Sequence, residues 1–373
     1  MRNRILGRSG RSFPVVAFPL YGLLSVHRYW LGVSTAVHSV SAFRPPLLLR
    51  IFAVQDDPGR GFGILADMAC AADSTVTISV PPADRQAAVL RFLSGDGGHG
   101  EGDLPRGSGL AGGASERLPG PGLWEARRGA ATVGAAWGRI RPGHTAEVFP
   151  PRLAVGEEEA TADALLTHLH GLFRAERVRV AYAYLSPLLE AQGRWLGRQG
   201  YRHVTDVLLL ARPLADVPTT LDSGELAYSP CLSSDLPRLA DLLAATQDDT
   251  RDFPILNGVL TASDLVTGFA AAGESGMRWW RLVRYQQRDI GCVLLADHPG
   301  RQQGELVYLG LVPSVRGRGW GRRLLRSALQ LARELGREQM VLAVDAGNDP
   351  AIATYAAEAF VVHDQKHVWL QVF

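Results

Sequence analysis

The sequence predicts an α/β protein with a mixed sheet, in which one fold is built twice in tandem. Three observations predict it. Apolar, strand-like runs alternate with amphipathic helical stretches from Thr75 to the C-terminus. The order of elements in 75–213 recurs in 224–373, so that VRVAYAYLSPLL falls against MVLAVDAGNDPAI and Gly200-Tyr201 against Ala359-Phe360. A loop rich in glycine and arginine, Arg316-Gly317-Arg318-Gly319-Trp320-Gly321, stands between a strand and a helix in the second copy only.

The elements follow in order. Thr75 opens a strand, Pro81-Pro82 makes a turn, and a helix runs to Leu93. The stretch 94–122 is rich in Gly and Pro and reads as a flexible loop. A hairpin over 123–138 leads to a strand, a helix over 160–174, a strand over 178–184, a helix over 187–199 and a final strand over 204–210. The copies join near 211–223. In the second copy a strand over 306–312 precedes the glycine loop, and a helix follows over 319–335. A buried strand over 339–344, a short helix over 350–358 capped by Asn348 or Asp349, and a last strand over 367–372 complete it.

With 373 residues, 46% hydrophobic and 20% charged, the chain can bury two cores of ordinary size. A net charge of +2 is not that of a dedicated nucleic-acid binder. Cys70, Cys231 and Cys292 are too widely spaced for a metal pattern or a disulfide framework, which implies a reducing, cytoplasmic setting and no metal. Segment 1–54 mixes arginines with apolar residues. Pro14 and Pro19 interrupt its apolar run and His27-Arg28 end it, so it reads as a poorly ordered extension rather than a signal or a membrane span.

The glycine loop carries the chemistry. Glycine lets backbone approach a bulky anion, and a helix start adds unpaired N–H groups and a positive dipole end, so the two together cradle a diphosphate. A P-loop is excluded because Arg322-Arg323 follow Gly321, and a dinucleotide fingerprint because Arg322 stands where a third glycine is needed. The pattern that fits is Arg-x-x-Gly-x-Gly after a strand and Pro313. It resembles the acetyl-coenzyme A loop of the GNAT superfamily of N-acetyltransferases. The resemblance extends through Asn348, Tyr355 and Phe360, with Ala359 where that superfamily has glycine. It is similar in plan to tandem members resembling mycothiol synthase, which pair a degenerate first half with an active second half.

That resemblance implies an N-acetyltransferase that moves an acetyl group from acetyl-CoA to a primary amine on a small molecule or peptide. No nucleic acid, membrane or metal is expected to take part, and a monomer or a homodimer is expected. Leu309, Gly310 and Leu311 would pair with the pantetheine arm. The backbone of 316–322 would hold the diphosphate, helped by the side chains of Arg316, Arg318 and Arg322, and Asn348 would lie beside it. Tyr355 would protonate the leaving thiolate. Glu305, eleven residues ahead of Arg316, is either a proton acceptor for the amine or a solvated strand-start carboxylate. For the acceptor, Asp248, Asp249 and Asp252 form an acidic loop, and Trp280 belongs either to that cleft or to the hairpin core. In the first copy Glu157-Glu158-Glu159 occupy the place of the glycine loop and Leu196 that of Tyr355, so 75–213 is expected to lack cofactor binding and 224–373 to be catalytic. Two other readings remain: a non-catalytic acyl-CoA sensor or two-lobed interaction protein, and an RNA-associated protein using RGRGWGRR.

Overall fold

The computed structural model of the protein describes residues 75–95, 122–218, 224–248, 250, 256 and 258–373. The expected extension 1–54, most of the Gly-rich loop, and Asp249 and Asp252 lie outside the described residues. The first copy contains β1 (Val76–Ser79), α1 (Ala83–Ser94), β2 (Leu123–Arg128), β3 (Ala131–Arg141), β4 (Thr145–Leu153), α2 (Glu159–Ala175), β5 (Val180–Leu185), α3 (Glu190–Arg198) and β6 (Arg202–Pro213). The second contains β7 (Ala227–Pro230), α4 (Leu236–Gln247), α5 (Ala262–Ala270), β8 (Arg281–Tyr285), β9 (Arg288–His298) and β10 (Gln303–Leu311). It continues with α6 (Trp320–Glu334), β11 (Gln339–Asp345), α7 (Asp349–Ala356) and β12 (Val361–Val372). Every expected element in these ranges is present. The last strand is longer than expected and begins directly after Phe360.

The twelve strands among the described residues form one sheet in the order β1-β2-β3-β4-β5-β12-β6-β11-β10-β9-β8-β7. Two pairs are parallel, β4 with β5 and β10 with β11, and each marks the same step in its copy. The sequence does not show how the copies join. Their final strands are exchanged: β12 pairs with β5 of the first copy, β6 with β11 of the second, and the two pair with each other. The sheet therefore runs unbroken across the centre of the molecule.

Helices cover both faces. α6 buries Trp320, Leu324, Leu325, Ala328 and Leu329 at the i, i+4 spacing of one helix face. Each buried leucine contributes roughly 1.5–3 kcal/mol relative to exposure. The cluster below it takes in Leu309, Leu311, Met340, Leu342 and Tyr355. α4 and α5 pack on the opposite face over a core that includes Val180, Val207 and Leu370 from the central strands of both copies. α2 and α3 cover the first copy. No helix among the described residues is long and apolar enough to cross a membrane.

A second joint lies where the β3–β4 turn of the first copy meets the start of α5. Thr261 caps α5 by accepting from Asp264 N at 3.1 Å, and Asp264 Oδ2 accepts from Thr261 N at 2.9 Å. The same carboxylate takes His144 Nδ1 at 2.7 Å and an Arg179 guanidinium N–H at 2.9 Å. Gly143, at φ +82°, brings its backbone so close that a Cβ would stand 2.3 Å from Asp264 O. Burial pushes the Asp264 carboxyl up. The hydrogen bonds from Thr261 and His144, with the Arg179 charge, outweigh it and hold the carboxyl below the ordinary range.

A carboxylate whose folded value is depressed stabilises the fold above its unfolded value, and that stabilisation is lost as pH falls through the folded value. Asp264→Asn is therefore expected to lower stability by about 1–3 kcal/mol at neutral pH and to flatten the acid limb of a Tm-versus-pH curve. An unchanged acid limb in the variant would show that Asp264 does not carry this joint.

Candidate functional site

The parallel ladder between β10 and β11 lasts three residues, from Gln303↔Gln339 to Glu305↔Val341. Beyond it β11 stays with β6 as far as Asp345, while β10 stays with β9. β10 also takes an extra residue, Val307, between Leu306 and Tyr308 in its pairing with β9. A bulge of this kind bends a strand and sharpens its twist. The two strands thus part in a V whose vertex is Glu305, and Leu309, Gly310 and Leu311 lie along the β10 arm.

The arm ends in the glycine loop. A 3-10 turn over Pro313–Val315 follows β10, and Gly317 and Gly319 both take the left-handed conformation, at φ +85° and +74°. Gly317, Arg318 and Gly319 are exposed. Gly319 is the N-cap of α6 and no side chain caps that end. The first turn of α6 has no acidic residue, whereas the first turns of α1, α2, α3, α5 and α7 each hold one. The start of α6 thus combines open backbone, unmatched N–H groups and the positive dipole end. Gly321 lies in that first turn. Trp320 anchors it, 4% exposed and 4.8 Å ring to ring from Tyr285, with the Arg318 guanidinium 5.1 Å above it.

Two of the arginines expected at a diphosphate are directed elsewhere. Arg316 turns back into the strand end and donates to the carbonyls of Leu311 at 2.9 Å and Thr246 at 3.0 Å. Arg322 donates to the carbonyl of Ala357 at 2.9 Å and bonds the carboxylate of Glu358. The physical reason is the burial of Glu358, which draws in Arg322, Arg326 and Arg212 because an uncompensated buried carboxylate is costly. In this structure the backbone and Arg318 remain as the loop's outward-facing anion donors.

Glu305 is not a solvated strand-start residue. It is 5% exposed, and its Oε2 lies 2.8 Å from His298 Nε2 at the end of β9. Tyr355 is fully buried in α7, edge-on to Phe360 at 5.6 Å, in the same apolar cluster as Val315 and Trp320. Asn348 caps α7, its Oδ1 accepting from Ala351 N at 3.4 Å. Its Nδ2 is buried and has no acceptor among the described residues. Asp248 is exposed at the end of α4. Trp280 requires a correction: it is fully buried in the core beneath α4 and α5, because the hairpin turns its indole inward, and it lines no cleft.

Several residues escaped the sequence reading. Tyr308, beside the bulge, meets the Thr246 hydroxyl at 2.7 Å, and a Cβ on Gly310 would lie 2.7 Å from the Tyr308 ring, so Gly310 is the residue that fits there. His298 had no signal. Glu147 is the first-copy counterpart of Glu305, since the β4–β5 ladder ends at Glu147↔Tyr182. It is held by Arg139 Nε at 3.1 Å. Set by the repeat that puts Leu165-Leu166 against Leu324-Leu325, the two glutamates fall one position out of step, which hid the match.

The first copy opens in the same V but continues differently. Gly156 at φ +83° precedes α2, and the acidic run that follows is already partnered. Glu157 accepts from Thr161 at 2.7 Å and Arg128 at 3.0 Å, and Glu159 from Arg198 at 2.9 Å. The Thr161 hydroxyl first, and then Arg128 against the opposing effect of burial, hold the Glu157 carboxyl below its ordinary value.

Residues 244–360 match the model of the acetyltransferase (GNAT) family. A mycothiol acetyltransferase of Clavibacter sepedonicus is 30% identical over 173 residues, which cover 43% of this chain and 52% of that protein. One from Corynebacterium aurimucosum is 39% identical over 66 residues, covering 18% and 22%. The chain thus spans from about a fifth to about half of the length of these relatives. Among solved structures, a GCN5-related N-acetyltransferase from Sphaerobacter thermophilus superposes with a TM-score of 0.53 at 14% identity, over 80% of this chain and 95% of that one. The glucosamine N-acetyltransferase region of a fungal multi-domain β-N-acetylglucosaminidase gives 0.54 at 14%, over 81% and 38%. The fold shared with these structures extends across both copies.

Ala359, the departure from the superfamily pattern, takes φ +61°, matching Gly200 at φ +93° in the first copy. The same turn closes both short helices, with Phe360 N donating to Tyr355 O and Tyr201 N to Leu196 O, each at 3.1 Å. Alanine is strained there. Ala359→Gly is expected to raise stability by about 1 kcal/mol in denaturant unfolding, and a loss of stability would refute the strain.

Proposed function

We propose that the chain is an N-acetyltransferase that carries an acetyl group from acetyl-CoA to a primary amine, by direct attack with both substrates bound together. The observation that carries this reading is the pairing of the splayed β10 arm with the exposed loop of Gly317 and Gly319 at the uncapped start of α6. The match of 244–360 to the GNAT model and the acetyltransferase names of the relatives support acyl transfer in general. In this reading 224–373 holds the catalytic machinery. The 75–213 region, with its acidic run in place of the glycine loop, acts as scaffold and wall.

The residues present fit the cosubstrate, whose thioester supplies an activated acyl carbon. The backbone of Leu309, Gly310 and Leu311 receives an amide-rich arm as an added strand. The N–H groups of 317–322, with Arg318, hold a diphosphate. The buried Nδ2 of Asn348 offers a further donor. An N–H near Leu311 stabilises charge developing on the acyl oxygen. Glu305, hydrogen-bonded to His298, accepts a proton from the incoming ammonium, and Tyr355 donates one to the departing sulfur. Holding both reactants side by side supplies much of the acceleration.

The full burial of Tyr355 favours a second reading, in which the loop binds acyl-CoA without turnover. Calorimetry with acetyl-CoA and a thiol-release screen over amines separate the two. The wild type is expected to bind and turn over, Gly319→Glu to lose binding, and Tyr355→Phe to bind normally with kcat lowered about 10²–10⁴-fold. No binding by the folded wild type would overturn both readings. Binding without thiol release would leave the sensor.

A further inference from the structure

We propose that His203, Asp206 and His367 form a site for one divalent transition-metal ion of zinc type, spanning the two exchanged strands at the centre of the sheet. One ligand atom from each of the three lies within 4.8 Å of the others. His203 Nε2 stands 2.8 Å and His367 Nε2 3.7 Å from Asp206 Oδ1. Around a tetrahedral zinc with bonds of about 2.0–2.1 Å, neighbouring ligand atoms are about 3.3 Å apart, between the two separations found. Two imidazoles and one carboxylate are a donor set that zinc takes readily, leaving a fourth position for water or an added ligand.

The local backbone builds this cluster. His367 and Asp206 are direct cross-strand partners on β12 and β6, so their side chains share a face. His203 is three residues from Asp206, a spacing that in a regular strand would put it on the opposite face. The pairing shifts between Thr205↔Val368 and His203↔Trp369, leaving Val204 as an extra residue on β6. This bulge re-aims His203 to the side of His367, with the two rings 4.8 Å apart. Re-aiming a side chain in this way is a recurrent feature of functional positions in sheets.

The surroundings suit an ion. The side chains of His203, Asp206 and His367 are 42%, 27% and 32% exposed, so an ion can enter and keep a water. The other carboxylate oxygen of Asp206 accepts from Gln365 Nε2 at 2.8 Å, which fixes its orientation as outer partners of metal ligands do. The Asp206 carbonyl accepts from Ala346 N at 2.8 Å, tying the site to the loop that ends in the α7 cap. On the same face the Trp369 ring reaches α3, where a Cβ on Gly193 would stand 2.9 Å from it. A bound ion would join the last strand of one copy to the last strand of the other.

The test uses the full chain freed of metal by chelation. Calorimetric titration with zinc is expected to show one tight equivalent and a raised Tm. Titration with cobalt(II) is expected to give the visible absorption of a tetrahedral ion bound by nitrogen and oxygen. Asp206→Asn, which keeps the shape, is expected to lose both signals, and Gln365→Ala to weaken binding about 10–100-fold. His203→Ala/His367→Ala, checked for folding by circular dichroism, is expected to lose the equivalent as well. Absence of the tight equivalent in the wild type, or its survival with an unchanged cobalt spectrum in Asp206→Asn, overturns the proposal.

Discussion

The point at which β10 leaves β11 governs the rest of the site. Three residues of parallel ladder hold the strands together, and then a bulge and the competing pull of β6 and β9 separate them. A parted pair leaves backbone groups without ladder partners, which inside a sheet is costly unless something else pairs with them. Beyond Glu305 the facing edges of β10 and β11 have no ladder between them, and in the proposed reading an extended, amide-bearing chain pairs there. The glycine loop lies at its wide end and a buried glutamate at its vertex. Both copies part at the same register, which makes the V a property of the duplicated fold rather than of the second copy alone.

What distinguishes the copies is electrostatic. The first turn of α6 has no acidic residue of its own and no side-chain cap, and it carries a run of arginines. At the start of α2 there are three glutamates, two of them already satisfied by arginine and threonine. In the proposed reading a diphosphate meets donors at the first and like charge at the second. The buried Glu358 complicates the second copy by holding Arg322 and Arg326 along α6, so that in the proposed reading the backbone N–H groups are the principal binding elements. Backbone donors have fixed positions, so such a site carries less rotamer entropy to lose than one made of long side chains.

Much of this was legible in the sequence. The element order, the loop conformation and the Asn348 cap follow from periodicity, glycine placement and capping chemistry, all of which act over a few residues. What was not legible depends on register. The turn of His203 toward His367 hinges on a single extra residue in β6, and the choice between cleft and core for Trp280 on which side of a hairpin faces a helix. Arg316 and Arg322 were read as anion ligands from their place in the motif. Their alternative partners, the Thr246 carbonyl and Glu358, come from elements far away in the chain, and no local pattern announces them.

The exchange of β6 and β12 also bears on how the chain is made. The edge of β5 is completed by β12 of the second copy, so the first copy cannot close its sheet while it emerges alone from the ribosome. Until β12 arrives, β5 presents an open, largely apolar edge of the kind that invites pairing with another chain. Duplication has made the order of synthesis and the order of folding disagree. The first copy, though finished first, must wait for β12, and long-range closure of this type is slow relative to the local assembly of hairpins and helices.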